Sequence, residues 1–452
     1  MKQAAEPAVR ALLAELRSVV GDAHVIVEPD QLAPHCTDWT RRFTGSCLAV
    51  VRPASTAEVS AVLACCHAAA QPVLVQGGNT GLVAGAVPAL GTMPVIISTL
   101  RLTEVGAVDP LTGQLTAQAG ASLASVQDAA REAGWSYGVD LAARDSATIG
   151  GTVATNAGGT QVVAYGMTRA QLVGIEAVQA DGTVLAHLGG LLKDNTGFDL
   201  AALLCGSEGT LAVITAVRLR LHPPHRASSL AMVGCASYDQ ALALMAQARV
   251  RAPLIAAESI DATGMQLAAS ALGLPSPLQR QWPVVALIEV ADGADASGLP
   301  LADEQDAVVA LTTADQARLW DYRERQAEAY ATLGLVHKLD VSIPLVRMQS
   351  VLDDLSALMS ADPEVTTFGF FGHLADGNVH VEFLGPTDTR LQDAILDRVA
   401  RAGGSISAEH GIGRLKSQYL HLSRSPAEIE AMRAIKAAWD PQGLLNEGVL
   451  FA

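Results

Sequence analysis

Apolar and polar positions in the first half of the chain switch repeatedly from a helical to an extended period. The switch is clear in STAEVSAVLACCHAAAQPVLVQ, residues 55–76. A Ser55-x-x-Glu58 capping box precedes apolar residues spaced three or four positions apart, and after Pro72 the apolar residues become nearly continuous. We predict a helix that leads into a short buried strand.

Further strand signals follow before the middle of the chain. Two β-prone runs joined by Asp181-Gly182, a dipeptide that favours a hairpin turn, make up IEAVQADGTVLAHL. Another strand is predicted by TLAVITAVRLRL, which is followed closely by Pro223-Pro224. We place a domain boundary at this double proline and predict domains over residues 1–222 and 223–452.

The second half also mixes strand and helix patterns. A strand and then a helix are predicted by SLAMVGCASYDQALALMAQA, and a buried strand by PVVALIEVADG. Near the C-terminus, Ser425-Pro426-Ala427-Glu428 caps a predicted helix with apolar positions at Ile429, Met432, Ile435 and Trp439. We expect an α+β domain whose last segment, residues 425–452, packs back near the first domain.

Length and composition agree with a multidomain enzyme. At 452 residues the chain is too long for one ordinary core, and its 50% apolar and 17% charged residues are typical of a compact protein. The net charge of −16 argues against nucleic acid or an anionic membrane as the main partner. A small anion is still compatible, because a few buried cations can bind it locally.

The cysteines and the N-terminus add two exclusions. The six cysteines form no C-x-x-C pair or cluster, so neither an iron–sulfur centre nor a thiolate zinc site is indicated. No run approaches the roughly 20 apolar residues of a membrane span. Residues 1–21 read as an amphipathic helix without a cleavage site. We therefore expect a cytoplasmic protein with no membrane span.

Three segments concentrate glycine with small polar residues: QGGNTGLVAG (76–85), SATIGGTVATNAGG (146–159) and GSEGTLAVIT (206–215). Glycine lets backbone N–H groups approach a phosphate closely, although tight turns favour the same residue. Neither the dinucleotide-binding pattern G-x-G-x-x-G nor the P-loop occurs. Because a strand leads into the first loop, the three segments together favour a site for a long cofactor.

Two histidines and a later glutamate form a candidate metal site. His373 and His380 flank the turn in FGHLADGNVHVEF (371–383), and Glu409 lies in SAEHGIG (407–413). A hairpin with ordinary turn residues would account for the two histidines alone. Divalent metals such as zinc accept imidazole and carboxylate ligands, however, and a catalytic site keeps a position open for substrate.

Five segments in this order resemble the FAD-dependent D-2-hydroxy acid dehydrogenases of the vanillyl-alcohol oxidase type, which include D-2-hydroxyglutarate and D-lactate dehydrogenases. They are PVLVQGGNTGLVAGAVP, SATIGGTVATNAGG, GSEGTLAVIT, GHLADGNVH and SAEHGIG. The likeness extends from about residue 45 to the C-terminus. One motif can arise by chance, but five in the family's order and approximate spacing are specific.

The resemblance implies an α+β fold, with a two-subdomain FAD-binding domain and an α+β substrate or cap domain that contains an antiparallel sheet. Relatives that bind flavin covalently have a histidine in the first loop. This loop has none, so we expect non-covalent FAD. The implied FAD-binding residues are Gly77, Gly78, Asn79, Thr80, Gly81, Ser146, Thr148, Ile149, Gly150, Gly151, Asn156, Gly158, Gly206, Ser207, Glu208, Gly209, Ile214 and Asn446.

The resemblance also assigns His373, His380 and Glu409 to a divalent metal, for which we expect zinc, with manganese as the alternative. His410 follows the ligand Glu409 and is the candidate catalytic base. A metal would acidify the substrate hydroxyl, and a neutral imidazole would accept its proton. The hydride would pass to the flavin.

The implied substrate-binding residues are Arg323, Lys338, Asn378 and His410. In the resembling hydroxyglutarate dehydrogenases the Arg and Lys bind substrate carboxylates, so we expect a dicarboxylate such as D-2-hydroxyglutarate. Ala327 replaces the family's Thr, Ala375 replaces a Gly, and LLNEGVLF replaces the usual N-P-x-K pattern. These departures leave the identity of the acid open.

Several alternatives remain at this point. D-lactate or another short D-2-hydroxy acid is the second candidate substrate. A metal-dependent hydrolase or binding protein, in which the glycine loops are only structural, is the non-redox alternative. The electron acceptor is unidentified: an electron-transfer flavoprotein, a quinone, a cytochrome and oxygen are all compatible, although the resemblance favours a dehydrogenase over an oxidase. A homodimer is expected only from general frequency.

Overall fold

The computed structural model describes residues 2–225, 227–302, 305–334 and 336–451, with the side chains of residues 2–6 excepted. The helices are α1 (Lys2–Val20), α2 (Pro29–Cys36), α3 (Thr56–Ala68), α4 (Leu123–Glu132), α5 (Ile149–Ala154), α6 (Val162–Tyr165), α7 (Thr168–Gln171), α8 (Leu200–Leu204), α9 (Tyr238–Arg251), α10 (Ala262–Leu272), α11 (Thr313–Glu324), α12 (Gln326–Ala331), α13 (Met348–Ala361), α14 (Arg390–Arg401), α15 (Leu420–Ser423) and α16 (Pro426–Trp439). The strands are β1 (Val25–Ile26), β2 (Ala49–Val51), β3 (Val73–Gln76), β4 (Val95–Ser98), β5 (Gln114–Gln118), β6 (Leu172–Val178), β7 (Val184–His187), β8 (Val213–Arg220), β9 (Ser229–Cys235), β10 (Leu254–Asp261), β11 (Val284–Val290), β12 (Ala307–Ala310), β13 (His337–Ser342), β14 (Thr367–His373) and β15 (Asn378–Leu384).

The chain forms two compact units. Unit 1 comprises Met1–Gly158, Met167–Pro223 and His410–Ala452, and unit 2 comprises Gly159–Gly166 and Pro224–Glu409. The chain therefore enters unit 2 briefly before the double proline and leaves it for good after Glu409. Among the described residues no helix has the length and apolar character needed to cross a membrane.

Unit 1 contains a mainly parallel sheet. Its strand order is β1-β2-β4-β3, with β2, β4 and β3 parallel and β1 antiparallel to β2. Helix α3 begins at its predicted N-cap, where Ser55 accepts a hydrogen bond from the Glu58 backbone N–H. It buries Val59, Val62, Leu63 and Cys66 in the same apolar cluster as Val73 and Ile97 of the sheet. The predicted helix and buried strand are thus confirmed.

A second sheet in unit 1 is antiparallel, with the order β5-β8-β6-β7. Strands β6 and β7 form the hairpin predicted at Asp181-Gly182, and Gly182 adopts a φ of 91°. Hydrogen bonds link this sheet to α3, because Thr56 donates to Glu176 of β6 at 2.5 Å and Ser60 donates to the Gly182 carbonyl. The two sheets of unit 1 are therefore joined through one helix.

Unit 2 is organised around an antiparallel sheet. Within the described ranges its strand order is β12-β9-β11-β10-β14-β15-β13. Strands β9 and β11 pair along their whole length, and most of their side chains are buried, as their continuous apolar runs predict. The next strands in the order, β10, β14, β15 and β13, carry the polar residues of the candidate site.

The C-terminal segment belongs to unit 1. Helix α16 begins at the predicted capping box, in which Ser425 accepts from the Glu428 N–H and the Glu428 carboxylate accepts from the Ser425 N–H. Its four predicted apolar positions are only partly covered, and Ile435 is 37% exposed. The helix is confirmed, but it buries no side chain fully among the described residues. After the helix, the Leu444 carbonyl accepts from the Val73 N–H of the parallel sheet at 2.8 Å.

Candidate functional site

The first two glycine-rich segments lie against each other in unit 1. Strand β3 ends at Gln76 and delivers the chain into the loop at residues 77–81. A Cβ added to Gly77 would lie 2.2 Å from the Thr148 hydroxyl, and one added to Gly78 would lie 1.8 Å from the Ser146 carbonyl oxygen. Only glycine fits at position 78, because the Ser146 carbonyl that a Cβ would meet belongs to the backbone and cannot rotate away.

The backbone N–H groups of residues 77–81 form a donor set. Within the described part of the chain, none of these five groups donates in a turn or loop hydrogen bond. The Asn79 side chain is held instead, by donation to the Thr37 carbonyl at 3.0 Å, and its backbone has a φ of 52°. Consecutive N–H groups with no protein acceptor suit an anion such as a pyrophosphate. The loop therefore fits the group predicted to bind there.

The second segment, residues 146–159, contains the short helix α5. Thr148 is its N-cap and accepts from the Gly151 N–H at 3.3 Å, so Ile149, Gly150 and Gly151 form its first turn. A Cβ on Gly150 would lie 2.6 Å from the Cβ of Ala119, the residue after β5. Glycine at this position therefore allows α5 to lie close to the end of that strand. The remaining predicted residues of this segment lie at its ends: Ser146 is exposed, Asn156 has a φ of 49°, and Gly158 is buried.

The third segment is tied to the C-terminus. Gly206, Glu208 and Gly209 all adopt positive φ, while Ser207 and Ile214 are buried. The Asn446 carboxamide donates to the Glu208 carbonyl at 2.6 Å and accepts from the Val75 N–H at 2.9 Å. It thus links the third segment to the strand that precedes the first. FAD contacts by Glu208 and Asn446 remain predictions.

One face of the unit 2 sheet collects polar side chains. Side chains alternate across a strand, and residues opposite each other on paired strands share a face. The register places Glu258 opposite His373, His380 opposite both Phe371 and Asp340, and Glu382 opposite Lys338. Four neighbouring strands therefore bring their polar positions to the same side.

The three predicted metal ligands meet on this face. One ligand atom from each of His373, His380 and Glu409 lies within 4.8 Å of the other two. Among the residues that the structure describes, this is the cluster of metal-ligating side chains that could hold an ion. The Nε2 atom of His373 is 3.5 Å from Oε1 of Glu409. Two imidazoles and a carboxylate match the donor set of a catalytic zinc site.

Two buried carboxylates that the sequence analysis missed support these ligands. Nδ1 of His373 contacts Oε1 of Glu258 at 2.6 Å, and Asp340 accepts from the Glu409 N–H at 2.9 Å. Nδ1 of His380 lies 3.9 Å from Asp340. Carboxylates in such positions fix the orientation of a metal-binding histidine. An acid within an apolar strand run, as Glu258 in LIAAESI and Asp340 in LDV, was the available signal.

The surroundings set the charge of each ligand. Burial and the Arg323 guanidinium lower the pKa of His380 to about 3, so its imidazole is neutral and able to bind a metal. Burial opposes ionisation of Glu409, but His373 outweighs it and holds the pKa at about 2. Burial alone would lower the pKa of His373, yet Glu258 and Glu409 hold it well above its ordinary value. A bound cation would take the place of that proton.

The polar face carries more carboxylates than cations. Glu258, Asp340, Glu382 and Glu409 are carboxylates with little solvent contact, and Arg323 and Lys338 are the cations that face them. With all four carboxylates ionised and both histidines neutral, two negative charges are left over, and a proton on His373, whose pKa is raised, reduces this excess to one. Buried charge of one sign is costly unless it is compensated. A divalent metal ion fits this excess.

The predicted carboxylate-binding cations already have partners. Nε of Arg323 donates to Glu258 at 2.6 Å, and its guanidinium lies 5.0 Å from the Phe371 ring centre. Nζ of Lys338 lies 3.5 Å from Oε1 of Glu382, which the sequence analysis did not single out. The pKa of Glu382 is raised to about 7, mainly by burial and against the effect of Lys338.

Asn378 and His410 occupy different units. The Asn378 amide donates to Asp340 at 2.7 Å and to the Val341 carbonyl, while its Oδ1 is buried and has no hydrogen-bond partner among the described residues. His410 is half-buried and is the first residue of unit 1 after Glu409. Their predicted roles in substrate binding and proton transfer remain predictions.

Two family models match the chain. An FAD binding domain matches residues 47–187, and the C-terminal domain of FAD linked oxidases matches residues 224–450. The first match covers two of the three glycine-rich segments and confirms the prediction of FAD. The second covers the whole sheet of unit 2.

Curated relatives match over nearly the full chain. Mitochondrial D-2-hydroxyglutarate dehydrogenase of Bos taurus is 39% identical over 452 residues, with 96% of this chain and 82% of the relative covered. D-2-hydroxyglutarate dehydrogenase of Xanthomonas citri pv. viticola is 37% identical, and 96% of each chain is covered. The family resemblance stated from the motifs is confirmed.

Solved structures confirm the fold class. The 4-ethylphenol oxidase of Gulosibacter chungangensis superposes with a TM-score of 0.73 at 18% identity, covering 98% of this chain and 97% of its own. p-Cresol methylhydroxylase superposes with a TM-score of 0.74 at 16% identity, with 98% of this chain and 96% of its own covered. At such identities the likeness establishes the architecture of the vanillyl-alcohol oxidase type and nothing about substrates.

Proposed function

The chain belongs to the FAD-linked oxidases and is an FAD-dependent dehydrogenase, and on this premise we propose that it oxidises a D-2-hydroxy acid to the 2-oxo acid with the help of a divalent metal. The observation that carries the proposal is the polar face of the unit 2 sheet, where His373, His380 and Glu409 converge. The names of the full-length relatives support the substrate class.

The residues of the protein have distinct roles in this proposal. Bound FAD supplies the acceptor for the hydride of the substrate carbon. His373, His380 and Glu409 would hold a divalent metal, which would polarise the hydroxyl oxygen. Arg323 binds the substrate carboxylate, and the His410 imidazole accepts the hydroxyl proton. The N–H groups of residues 77–81 hold the FAD pyrophosphate.

The metal would be zinc, with manganese as the alternative. Three protein ligands of nitrogen and oxygen type with an open position are typical of catalytic zinc. The neutral state of His380 and the ionised state of Glu409, given by the directions of their pKa shifts, are the states that bind a metal ion.

Two substrates are candidates. D-2-hydroxyglutarate or a similar dicarboxylate is favoured by the curated relatives and by Lys338, a second cation on the same sheet face as the ligands. D-lactate or another short 2-hydroxy acid is favoured by a specific contact, since Lys338 is already paired with Glu382. The reaction is the same in both cases.

An anaerobic flavin assay tests the proposal. Purified holoprotein is mixed with D- and L-forms of 2-hydroxyglutarate and lactate, with and without a chelator, and the yellow flavin absorbance is followed. We expect a D-acid to bleach the flavin, the L-form to leave it unchanged, and chelation to slow the bleaching. His410→Ala should slow it by about 100 to 10,000-fold with bound flavin intact. Flavin that no D-acid bleaches would refute the proposed reaction.

A further inference from the structure

Glu382 lies on the polar sheet face without a role in the proposed chemistry. It belongs to β15, two residues after His380, and therefore points to the same side as the metal cluster. Across the sheet it lies opposite Lys338 of β13 and Gly369 of β14. Its neighbour on one side is thus a cation, and its neighbour on the other has no side chain.

The two carboxylate oxygens of Glu382 differ in their contacts. Oε1 lies 3.5 Å from Nζ of Lys338, whereas Oε2 is buried and has no hydrogen-bond partner among the described residues. The Glu382 side chain is only 4% exposed, and that of Lys338 is 44% exposed. No donor among the described residues offsets the charge on Oε2, so an anion that approached this oxygen would meet an uncompensated acceptor.

The contact with Glu382 changes the role expected of Lys338 in substrate binding. A free ammonium on this face would attract a second substrate carboxylate, but an ammonium paired with a buried carboxylate offers little net charge. A second substrate carboxylate near Lys338 would also approach Oε2 of Glu382, and like charges in a poorly hydrated site repel strongly. Glu382 therefore opposes the dicarboxylate binding that Lys338 alone would favour.

We propose that Glu382 is a specificity-determining residue, which lowers the preference of the site for dicarboxylates over monocarboxylates by neutralising Lys338 and by presenting its own unpartnered oxygen. The inference rests on the proposed function, because it assumes that the acid binds at this sheet face. Glu382 acts through Lys338 and takes no part in hydride or proton transfer.

A binding experiment that needs no turnover tests this proposal. Glutarate and butyrate, a dicarboxylate and a monocarboxylate that lack the oxidisable hydroxyl, are titrated into holoprotein by calorimetry. We expect Glu382→Gln to strengthen glutarate binding relative to butyrate by about tenfold, which corresponds to about 1.4 kcal/mol. Glu382→Asp, which keeps the charge, should retain the wild-type ratio.

Matched variants separate this role from a structural one. Glu364→Gln, at an exposed acid of the same unit that pairs with Arg390, should leave the ratio unchanged. Lys338→Met in the Glu382→Gln background should abolish the gain in glutarate binding relative to butyrate. The double-mutant cycle isolates the coupling between the two residues. In turnover with D-2-hydroxyglutarate, Glu382→Gln should lower KM more than it alters kcat.

The outcomes distinguish the two proposals. An unchanged ratio in Glu382→Gln, or no binding of either acid to any variant, would overturn the role of Glu382. Wild-type flavin that is bleached by D-acids, together with an unchanged ratio, would sink the specificity inference and leave the proposed function intact. Flavin that no D-acid bleaches would refute the function, while the binding ratio would still report on Glu382.

Discussion

The two candidate sites of this protein use different chemical groups: one uses backbone N–H groups and the other uses side chains. The loop at residues 77–81 in unit 1 offers backbone N–H groups and depends on the absence of side chains at Gly77 and Gly78. The face of the unit 2 sheet offers imidazoles, carboxylates and cations, and its backbone serves only to set the register.

The two sites are sensitive to different kinds of substitution. The loop fails when atoms are added, because its packing surface is the Ser146 backbone, which cannot move aside cheaply. The sheet face fails when a polar side chain is removed, because its predicted ligands are held by buried polar partners, as His373 is by Glu258. Variants of the two kinds should therefore have separate effects on flavin and on metal content.

The largest effect is expected from Gly78→Ala. The added Cβ would lie 1.8 Å from the Ser146 carbonyl oxygen, so the two glycine loops must separate. Overpacking of this kind costs about 1–3 kcal/mol, which would weaken FAD binding by about 5- to 150-fold where it acts on the bound state. Flavin content per polypeptide, from absorbance of purified protein, measures the loss.

Gly189→Ala is the matched control. Gly189 also lies in a unit 1 loop, has no positive φ, and would place its Cβ at least 4 Å from other atoms. It should keep full flavin content. Circular dichroism of both variants checks that the fold survives. Wild-type flavin content in folded Gly78→Ala would show that the loop contact is not needed for the cofactor.

The next effect concerns the metal. His380→Ala removes one of the three predicted ligands, and we expect the bound metal measured by elemental analysis to fall by at least tenfold, while flavin content stays at the wild-type level. His337→Ala is the control, because His337 lies on the adjacent strand β13 and stacks on Phe383 with ring centres 4.7 Å apart. Equal metal content in the two variants would exclude the cluster as the metal site.

The comparison also explains what the sequence could predict. Local patterns predicted the α3 helix, the hairpin at Asp181-Gly182, strands β9 and β11 and the cap of α16, since each depends on residues close together in the chain. The glycine loops and the predicted metal ligands His373, His380 and Glu409 came from short motifs. Both kinds of feature are encoded by short stretches of sequence.

The features that the sequence did not predict depend on long-range register. Glu258 supports His373 because β10 pairs with β14, and Asp340 supports Glu409 because the chain returns to β13 after the last strand. The Glu382–Lys338 contact likewise depends on the pairing of β15 with β13. No local pattern encodes such pairing, and the only hint was an acid within an apolar run.

A smaller effect should follow from Glu258→Gln. The amide keeps the shape of the side chain but removes the charge that faces Nδ1 of His373, and carboxylates in this position typically change metal affinity by about 10- to 100-fold. Competition with a chromophoric chelator measures the metal dissociation constant. Glu289→Gln is the control, since Glu289 is an acid of the neighbouring strand β11 that accepts from Ser228 and Trp320 instead. If the two variants lose affinity equally, Glu258 does not orient the metal ligand.

The smallest effect is expected at a residue that belongs to neither candidate site. Ser425→Ala removes the side chain that caps α16, a change that costs about 1 kcal/mol in typical helices. Because α16 contributes no predicted ligand, flavin and metal content should both stay at wild-type levels while the free energy of unfolding in urea falls. Ser18→Ala, at an exposed serine of α1, should change it by less than about 0.5 kcal/mol. A loss of flavin in Ser425→Ala would mean that the C-terminal segment contributes to the cofactor site beyond the Asn446 contacts. Flavin binding would then depend on packing of α16 as well as on the backbone N–H groups of residues 77–81.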